Sequence, residues 1–235
     1  MHLVKGSRFV SDVRLMPMRP KAQIIELLLN PGIIAVIRAR EASQVQPACE
    51  ALIRGGIMAL EITMTVPGAI EVIRRAAVEF GRHALVGVGT ILDERAAQTA
   101  LDAGAEFVVS PIMIPIVARI AAANGKPVML GAYTPTEAQA AYEAGADFVK
   151  LFPAETLGPA YIKSLRAPLP HLRIVPTGGV DLQTMEAFFR AGSAAVGVGS
   201  SLIQPKLLEA GDWDGLAALA RKFTELRALI RTRAA

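Results

Sequence analysis

The sequence predicts a (β/α)8 barrel, and three observations carry that expectation. Four segments repeat one pattern, a helix end at Ala-Gly or Gly-Gly followed at once by a short apolar strand. They are Arg54-Gly-Gly-Ile-Met-Ala-Leu-Glu-Ile-Thr63, Ala103-Gly-Ala-Glu-Phe-Val-Val-Ser-Pro111, Ala144-Gly-Ala-Asp-Phe-Val-Lys-Leu-Phe152 and Ala191-Gly-Ser-Ala-Ala-Val-Gly-Val-Gly199. Gly56, Gly104, Gly145 and Gly192 recur about every 40–50 residues, the length of two βα units. A further apolar strand fits between each pair, at residues 33–37, 84–88, 127–130 and 173–175. Short, continuous apolar strands alternating with helices signal a parallel sheet covered on both faces, and eight units in 235 residues close it into a barrel. A doubly wound open sheet is the rival, disfavoured because no Gly-x-Gly-x-x-Gly follows an early strand.

Taken in order, residues 1–19 form an N-terminal extension that lacks the apolar middle of a signal peptide and is expected to be flexible. They read as a loose extension, a transit-like segment or the product of an upstream start, with Met16 and Met18 just before Pro20. Residues 20–235 form one barrel domain. Residues 20–30 are expected to make an extra helix that closes the barrel floor before the first strand. At each Ala-Gly the glycine supplies the left-handed helix cap that turns the chain into its strand. Thr134-Pro-Thr-Glu137 combines a capping threonine, proline at the first helical position and glutamate at the third. Pro67 and Asp181 are expected to open the helices after strands two and seven. The last helix runs from a capping Asp212 to about Arg231 and covers strand eight.

Composition narrows the function classes. About half the chain is apolar, with 20 Gly and 15 Pro, which suits a single large α/β domain. The lone Cys49 excludes an intrachain disulfide framework and suggests a reducing, cytoplasmic compartment; it reads as a small buried apolar residue. The net charge is +4, but each terminus contributes +4, over residues 1–21 and 221–235, and the body is left at −4. Solvated tails account for this better than a basic groove, so no nucleic-acid partner is expected. The best apolar run, residues 107–123, is broken by Pro111, Pro115 and Arg119, so no membrane span is expected.

Barrel enzymes build their sites where strands end and βα loops begin. Those positions hold Arg38 after strand one, Glu61, Thr63 and Thr65 at strand two, Gly89 and Thr90 at strand three, and Ser110 and Pro111 at strand four. They continue with Gly131 and Thr134, then Lys150 and Phe152, then Thr177-Gly-Gly179, and finally Gly197-Val-Gly-Ser200. Lys150 is the one charge in an apolar strand. Desolvation disfavours an ammonium, and a neutral amine is a nucleophile toward carbonyls. The alternative is a structural lysine paired with Asp147 or Glu61. Glu61 is either that counterion or a proton shuttle, and a Lys–Glu pair can be both. Arg38 is either a surface arginine or a bidentate ligand for a carboxylate. The glycine loops of strands seven and eight suit phosphate, whose oxygens need close approach to backbone N–H groups; tight turns are the plainer reading. His83 and His171 precede strands and so face the opposite end, and no cluster has metal-ligand spacing; neither metal nor cofactor is expected.

These residues together resemble the 2-keto-3-deoxy-6-phosphogluconate (KDPG) and 4-hydroxy-2-oxoglutarate (KHG) aldolases. The resemblance rests on Ala35-Val-Ile-Arg38, Leu60-Glu-Ile-Thr-Met-Thr-Val-Pro67, Gly87-Val-Gly-Thr-Ile91, Phe107-Val-Val-Ser-Pro111, Thr134-Pro-Thr-Glu137, residues 145–153, Pro176-Thr-Gly-Gly-Val180 and Gly197-Val-Gly-Ser200. It covers about residues 22–230. It implies a class I aldolase that cleaves KDPG to pyruvate and glyceraldehyde 3-phosphate, and KHG to pyruvate and glyoxylate, without a cofactor. Lys150 would be the Schiff-base lysine and Glu61 the general acid/base. Thr90, Thr177 and Phe152 would lie beside the keto acid, and Gly178, Gly179, Gly199 and Ser200 would hold the phosphate. Thr65 stands where many members have a carboxylate-binding arginine, which leaves that task to Arg38, and Leu130-Gly131 replaces a usual Pro-Gly. The resemblance also implies a homotrimer, which would need exposed Met, Ile or Phe on a barrel helix. The alternatives are an aldolase for 2-keto-3-deoxy-6-phosphogalactonate, a non-aldolase phosphate-binding barrel such as an epimerase or synthase, and a catalytically silent barrel.

Overall fold

A computed structural model describes residues 19–234. Eight strands alternate with helices, β1 (Ile33–Ile37), β2 (Ala59–Thr63), β3 (Leu85–Gly89), β4 (Val108–Val109), β5 (Val128–Ala132), β6 (Phe148–Leu151), β7 (Ile174–Pro176) and β8 (Val196–Val198). Helix α1 (Lys21–Leu29) precedes β1; α2 (Val45–Arg54), α3 (Ala69–Phe80), α4 (Glu94–Asp102), α5 (Pro115–Ala123), α6 (Pro135–Glu143), α7 (Gly158–Arg166) and α8 (Met185–Arg190) each follow a strand. After β8 come α9 (Pro205–Ala210) and α10 (Trp213–Ala234). The strands pair in parallel in the order β7-β6-β5-β4-β3-β2-β1-β8. The ring closes between β7 and β8 through a Thr177–Gly197 bridge and the Ala194 N–H donating to the Ile174 carbonyl at 2.9 Å. This is the TIM barrel that the repeat predicts.

Local chemistry explains the joins. Gly56, Gly104, Gly145 and Gly192 all have positive φ, between 87° and 101°, so each turns its helix end into the next strand where a side chain would be strained. Thr134 and Glu137 form the expected capping box at α6. The Asp212 carboxylate accepts from the Gly215 N–H at 2.8 Å and starts α10. That helix lies on the end of α2, where Gly55 has no room for a side chain beneath Ala220, and so seals the helical ring between its last and first members.

Helix α1 closes the floor of the barrel. Ile24 and Leu28, one turn apart and fully buried, meet Ile34, Leu85, Phe107 and Phe148 from the lower interior. Each such side chain contributes about 2 kcal/mol by leaving water. With its floor filled, the barrel is left open to substrate at the opposite face.

Some boundaries move. Strands β3, β5 and β7 begin one residue later than expected. Pro67 and Asp181 do not start helices: Pro67 leads into a left-handed Gly68 that precedes Ala69, and α8 starts at Met185. The Asp181 carboxylate instead accepts from the N–H groups of Gln183 and Thr184, both at 2.8 Å, shaping the turn before the helix. The N-terminal extension lies outside the described residues apart from Arg19, which pairs with Glu106 at 2.5 Å. Among the described residues no helix is long and apolar enough to cross a membrane. Among the described residues the exposed large apolar side chains are Leu92, Ile112, Tyr133, Tyr142 and Leu229, so no exposed Met, Ile or Phe stands on a described helix.

Candidate active site

Strand β6 fixes Lys150 between Gly131 of β5 and Val175 of β7. Strand β2, on the far side of the ring, fixes Glu61 between Val36 and Gly87. Both side chains point inward and meet across the barrel, Lys150 Nζ lying 3.5 Å from Glu61 Oε1. They are 3% and 2% exposed, so water screens neither charge and each is the other's partner. Asp147, the other carboxylate considered for Lys150, pairs with Lys21 at 2.8 Å at the opposite end of the strand. Glu61 Oε1 has no hydrogen-bond donor among the described residues, so the carboxylate retains a free acceptor facing the amine. The Phe152 ring centroid lies 5.4 Å from Nζ, close enough for a cation–π contact.

Glycines make room for this pair. A Cβ on Gly89 would sit 2.0 Å from Glu61 Oε1, so the carboxylate occupies the space that a side chain on β3 would take. Gly131 is covered by the β4 loop, where a Cβ would meet the Pro111 carbonyl oxygen at 1.9 Å. Beyond Glu61 the same strand presents a hydroxyl chain. Thr63 donates to the Ile37 carbonyl at 3.1 Å, and its oxygen lies 2.7 Å from that of Thr65. A carbonyl can only accept, so Thr63 has spent its one proton and Thr65 is the donor of the second bond. Thr65 therefore presents lone pairs to the mouth of the barrel. Thr90, at the end of β3, is the one non-glycine residue of positive φ among those described, at 63°. For a β-branched residue that conformation costs free energy and is held by its surroundings.

A cavity of about 330 Å³ opens beside the pair, over β1, β6, β7 and β8. Of the residues singled out in the sequence it gathers Arg38, Phe152, Thr177, Gly178, Gly179, Gly199 and Ser200, whereas Lys150, Glu61, Thr65 and Thr90 are not in its lining. Phe152 joins the cavity to the amine. Thr177 is positioned from both sides: its N–H donates to Leu151, its carbonyl accepts from Ala154, and Gly197 leaves space for its hydroxyl. Gly178 and Gly179, with φ of 93° and 68°, line the cavity. Arg38 is exposed and makes no ion pair among the described residues, while its neighbour Arg40 is held by Glu209 at 2.8 Å. A guanidinium, two hydroxyls and a glycine-lined wall can hold a small dianionic acid next to a buried amine. Among the described residues no group of three or more His, Cys, Asp or Glu side chains is arranged to hold a metal ion.

Sequence reading missed Glu155, which also lines the cavity. Its signal was present, as the first charge after Lys150, but it lies in a loop one step beyond the strand end, on a short 3-10 turn (Ala154–Thr156). Nothing local shows that this turn folds back on Gly178 and Gly179.

Comparison with known proteins identifies the family. Residues 24–219 match the model of the family described as KDPG and KHG aldolase. The chain is 34% identical over 205 residues to a 2-dehydro-3-deoxy-phosphogluconate aldolase of Pseudomonas aeruginosa, covering 87% of this chain and 93% of that protein. It is 38% identical over 181 residues to a probable 2-dehydro-3-deoxy-6-phosphogalactonate aldolase of Rhizobium meliloti, covering 77% and 85%. The KDPG aldolase of Legionella pneumophila, crystallised with pyruvate captured as a covalent carbinolamine, superposes with a TM-score of 0.78 at 26% identity, covering 84% of this chain and 96% of that one. With the family model spanning most of the barrel and relatives of similar length on either side of the substrate divide, the chain belongs to the KDPG and KHG aldolases, class I carbon–carbon lyases.

Proposed function

We propose that the protein cleaves KDPG to pyruvate and glyceraldehyde 3-phosphate through an imine on Lys150. The observation that carries this reading is the buried Lys150–Glu61 pair, 3.5 Å apart, with Phe152 standing between the amine and a glycine-walled cavity. As the free amine, Lys150 attacks the C2 ketone, and Glu61 moves protons while the carbinolamine forms and loses water. The protonated imine is an electron sink. The C3–C4 bond breaks as the C4 hydroxyl gives its proton to Glu61, which releases the aldehyde. The enamine left on Lys150 takes a proton at C3, and hydrolysis returns pyruvate and the amine. Arg38 holds the C1 carboxylate, Thr90, Thr177 and Phe152 border the keto acid, and Thr65 borders the mouth as an acceptor. Gly178, Gly179, Gly199 and Ser200 take the phosphate.

KHG, with no phosphate, is a secondary substrate that uses the same pair. The galactonate-series acid differs only at C4, and the Rhizobium meliloti relative keeps that second reading in view. Release of pyruvate from each C4 epimer, coupled to lactate dehydrogenase, decides between them; faster cleavage of the galactonate epimer overturns the assignment. Ser200→Asp is expected to raise KM for the phosphorylated acid tenfold or more and to change KHG cleavage by less than about twofold. Equal losses on both would remove the phosphate role. Single-cysteine chemistry fits a cytoplasmic enzyme; the homotrimer rests on the family resemblance alone, since no exposed Met, Ile or Phe stands on a described helix.

A further inference from the structure

The cavity has a feature that a phosphate site does not require. Two charged residues line it, Arg38 and Glu155, and their charges cancel. Glu155 is set against the glycine pair: a Cβ on Gly178 would lie 3.0 Å from Glu155 Oε2, and one on Gly179 would lie 2.5 Å from Glu155 Cβ. Its backbone is anchored. Ala154 donates to the Thr177 carbonyl at 2.9 Å, the Thr156 hydroxyl donates to the Pro153 carbonyl at 2.9 Å, and Tyr133 meets Thr156 at 3.1 Å. Among the described residues the Glu155 carboxylate has neither an ion pair nor a side-chain hydrogen bond.

Other charges nearby are committed elsewhere. Lys150 and Glu61 face each other, Arg40 is paired with Glu209, and Glu137 accepts from the N–H groups of Tyr133 and Thr134. Asp181 is partly buried, which opposes its charge, but the Thr184 and Gln183 donors outweigh that and hold it below the usual carboxylate range. Arg38 is the one cation that lines the cavity beside Glu155.

We infer that Glu155 makes the cavity select the singly charged form of a phosphate monoester, so that binding takes up a proton. The inference rests on the phosphate reading proposed above. A fully ionised ester would set two negative charges against the Glu155 carboxylate and offer it no donor. The monoanion keeps one P–OH, which donates to Glu155 while the other oxygens accept from the glycine N–H groups and Ser200. A phosphate monoester loses its second proton near pH of about 6. Above that pH, binding the monoanion draws a proton from solvent, and affinity falls as pH rises. Glu155 is thus a specificity residue, acting on the ionisation state of the ligand rather than on the bond that breaks.

The test is calorimetric titration with glycerol 3-phosphate between pH 6 and 9 on the full chain, Glu155→Gln and Glu155→Asp. The chain and Glu155→Asp are expected to lose affinity by about tenfold per pH unit above pH 7 and to take up close to one proton, read from two buffers of different ionisation heat. Glu155→Gln is expected to change less than about threefold over the range and to bind about tenfold more tightly at pH 8.5. Identical pH dependence in the chain and Glu155→Gln overturns the inference and leaves the phosphate reading standing. Binding by none of the three at any pH overturns both. Weaker binding by Glu155→Gln at every pH also overturns it, because Glu155 would then be a plain favourable contact.

Discussion

Gly89→Ala is the sharpest perturbation of this site, because it removes no functional group. The new Cβ would lie 2.0 Å from Glu61 Oε1, 2.7 Å from Cδ and 2.8 Å from Cγ. An unstrained carbon–oxygen contact needs about 3.3 Å, so the carboxylate must retreat by about 1.3 Å, away from its 3.5 Å approach to Lys150. A misplacement of about 1 Å at a reacting group costs on the order of a hundredfold in rate. Gly89 does not have positive φ, so alanine suits the backbone and the fold should lose only the 1–3 kcal/mol, roughly, of an overpacked interior. Gly87→Ala is the control: its Cβ would press on the Phe107 ring at 2.4 Å, deeper in the barrel. The two variants should melt similarly, but kcat and the rate of pyruvate-imine trapping should fall about a hundredfold only in Gly89→Ala. If Gly89→Ala folds and keeps kcat within about twofold of the parent, the position of Glu61 is not what the chemistry depends on.

Three further outcomes are expected. Lys150→Met and Glu61→Leu should each cost about 3–5 kcal/mol by urea unfolding, since each strands a buried charge, while the double variant should cost far less than their sum; simple additivity would contradict the pairing. Thr90→Gly should relieve the strain of its left-handed backbone and raise stability by about 1 kcal/mol while cleavage slows, because the hydroxyl is lost; a fall in stability would show that φ is not strained. Burial, reinforced by Glu79, pushes the Cys49 thiol up to about 12 from 9.0. The unfolded chain ionises first, so stability should be lost as pH rises from 9 toward 12, by about 1.4 kcal/mol per unit. Cys49→Ala should flatten that alkaline slope in unfolding titrations.

The barrel was legible because its signals are local and repeated. Each Ala-Gly joint carries its own geometric reason, and the left-handed glycines are where the repeat places them. Lys150 and Glu61 were legible for a related reason: a charge in an apolar strand needs a partner, and strand order puts these two on opposite walls. Helix starts were less so. Pro67 and Asp181 are good first-turn residues by composition, but the chain spends them on turns that precede the helix. Glu155 was illegible, since its place depends on a loop folding across to the glycines of the next strand, a contact between side chain and distant backbone with no periodic signature. The commitment of the Thr65 proton to Thr63 depends in turn on a carbonyl of β1.

The central claim is that Lys150 forms an imine with a 2-keto acid, and it can be weighed directly. The protein is incubated with pyruvate and borohydride, and the reduced adduct is located by peptide mass mapping. The account predicts one adduct per chain, on Lys150, absent from Lys150→Met and formed more slowly in Glu61→Gln. An adduct on another lysine, or none under conditions that trap a known lysine-dependent aldolase, would contradict it.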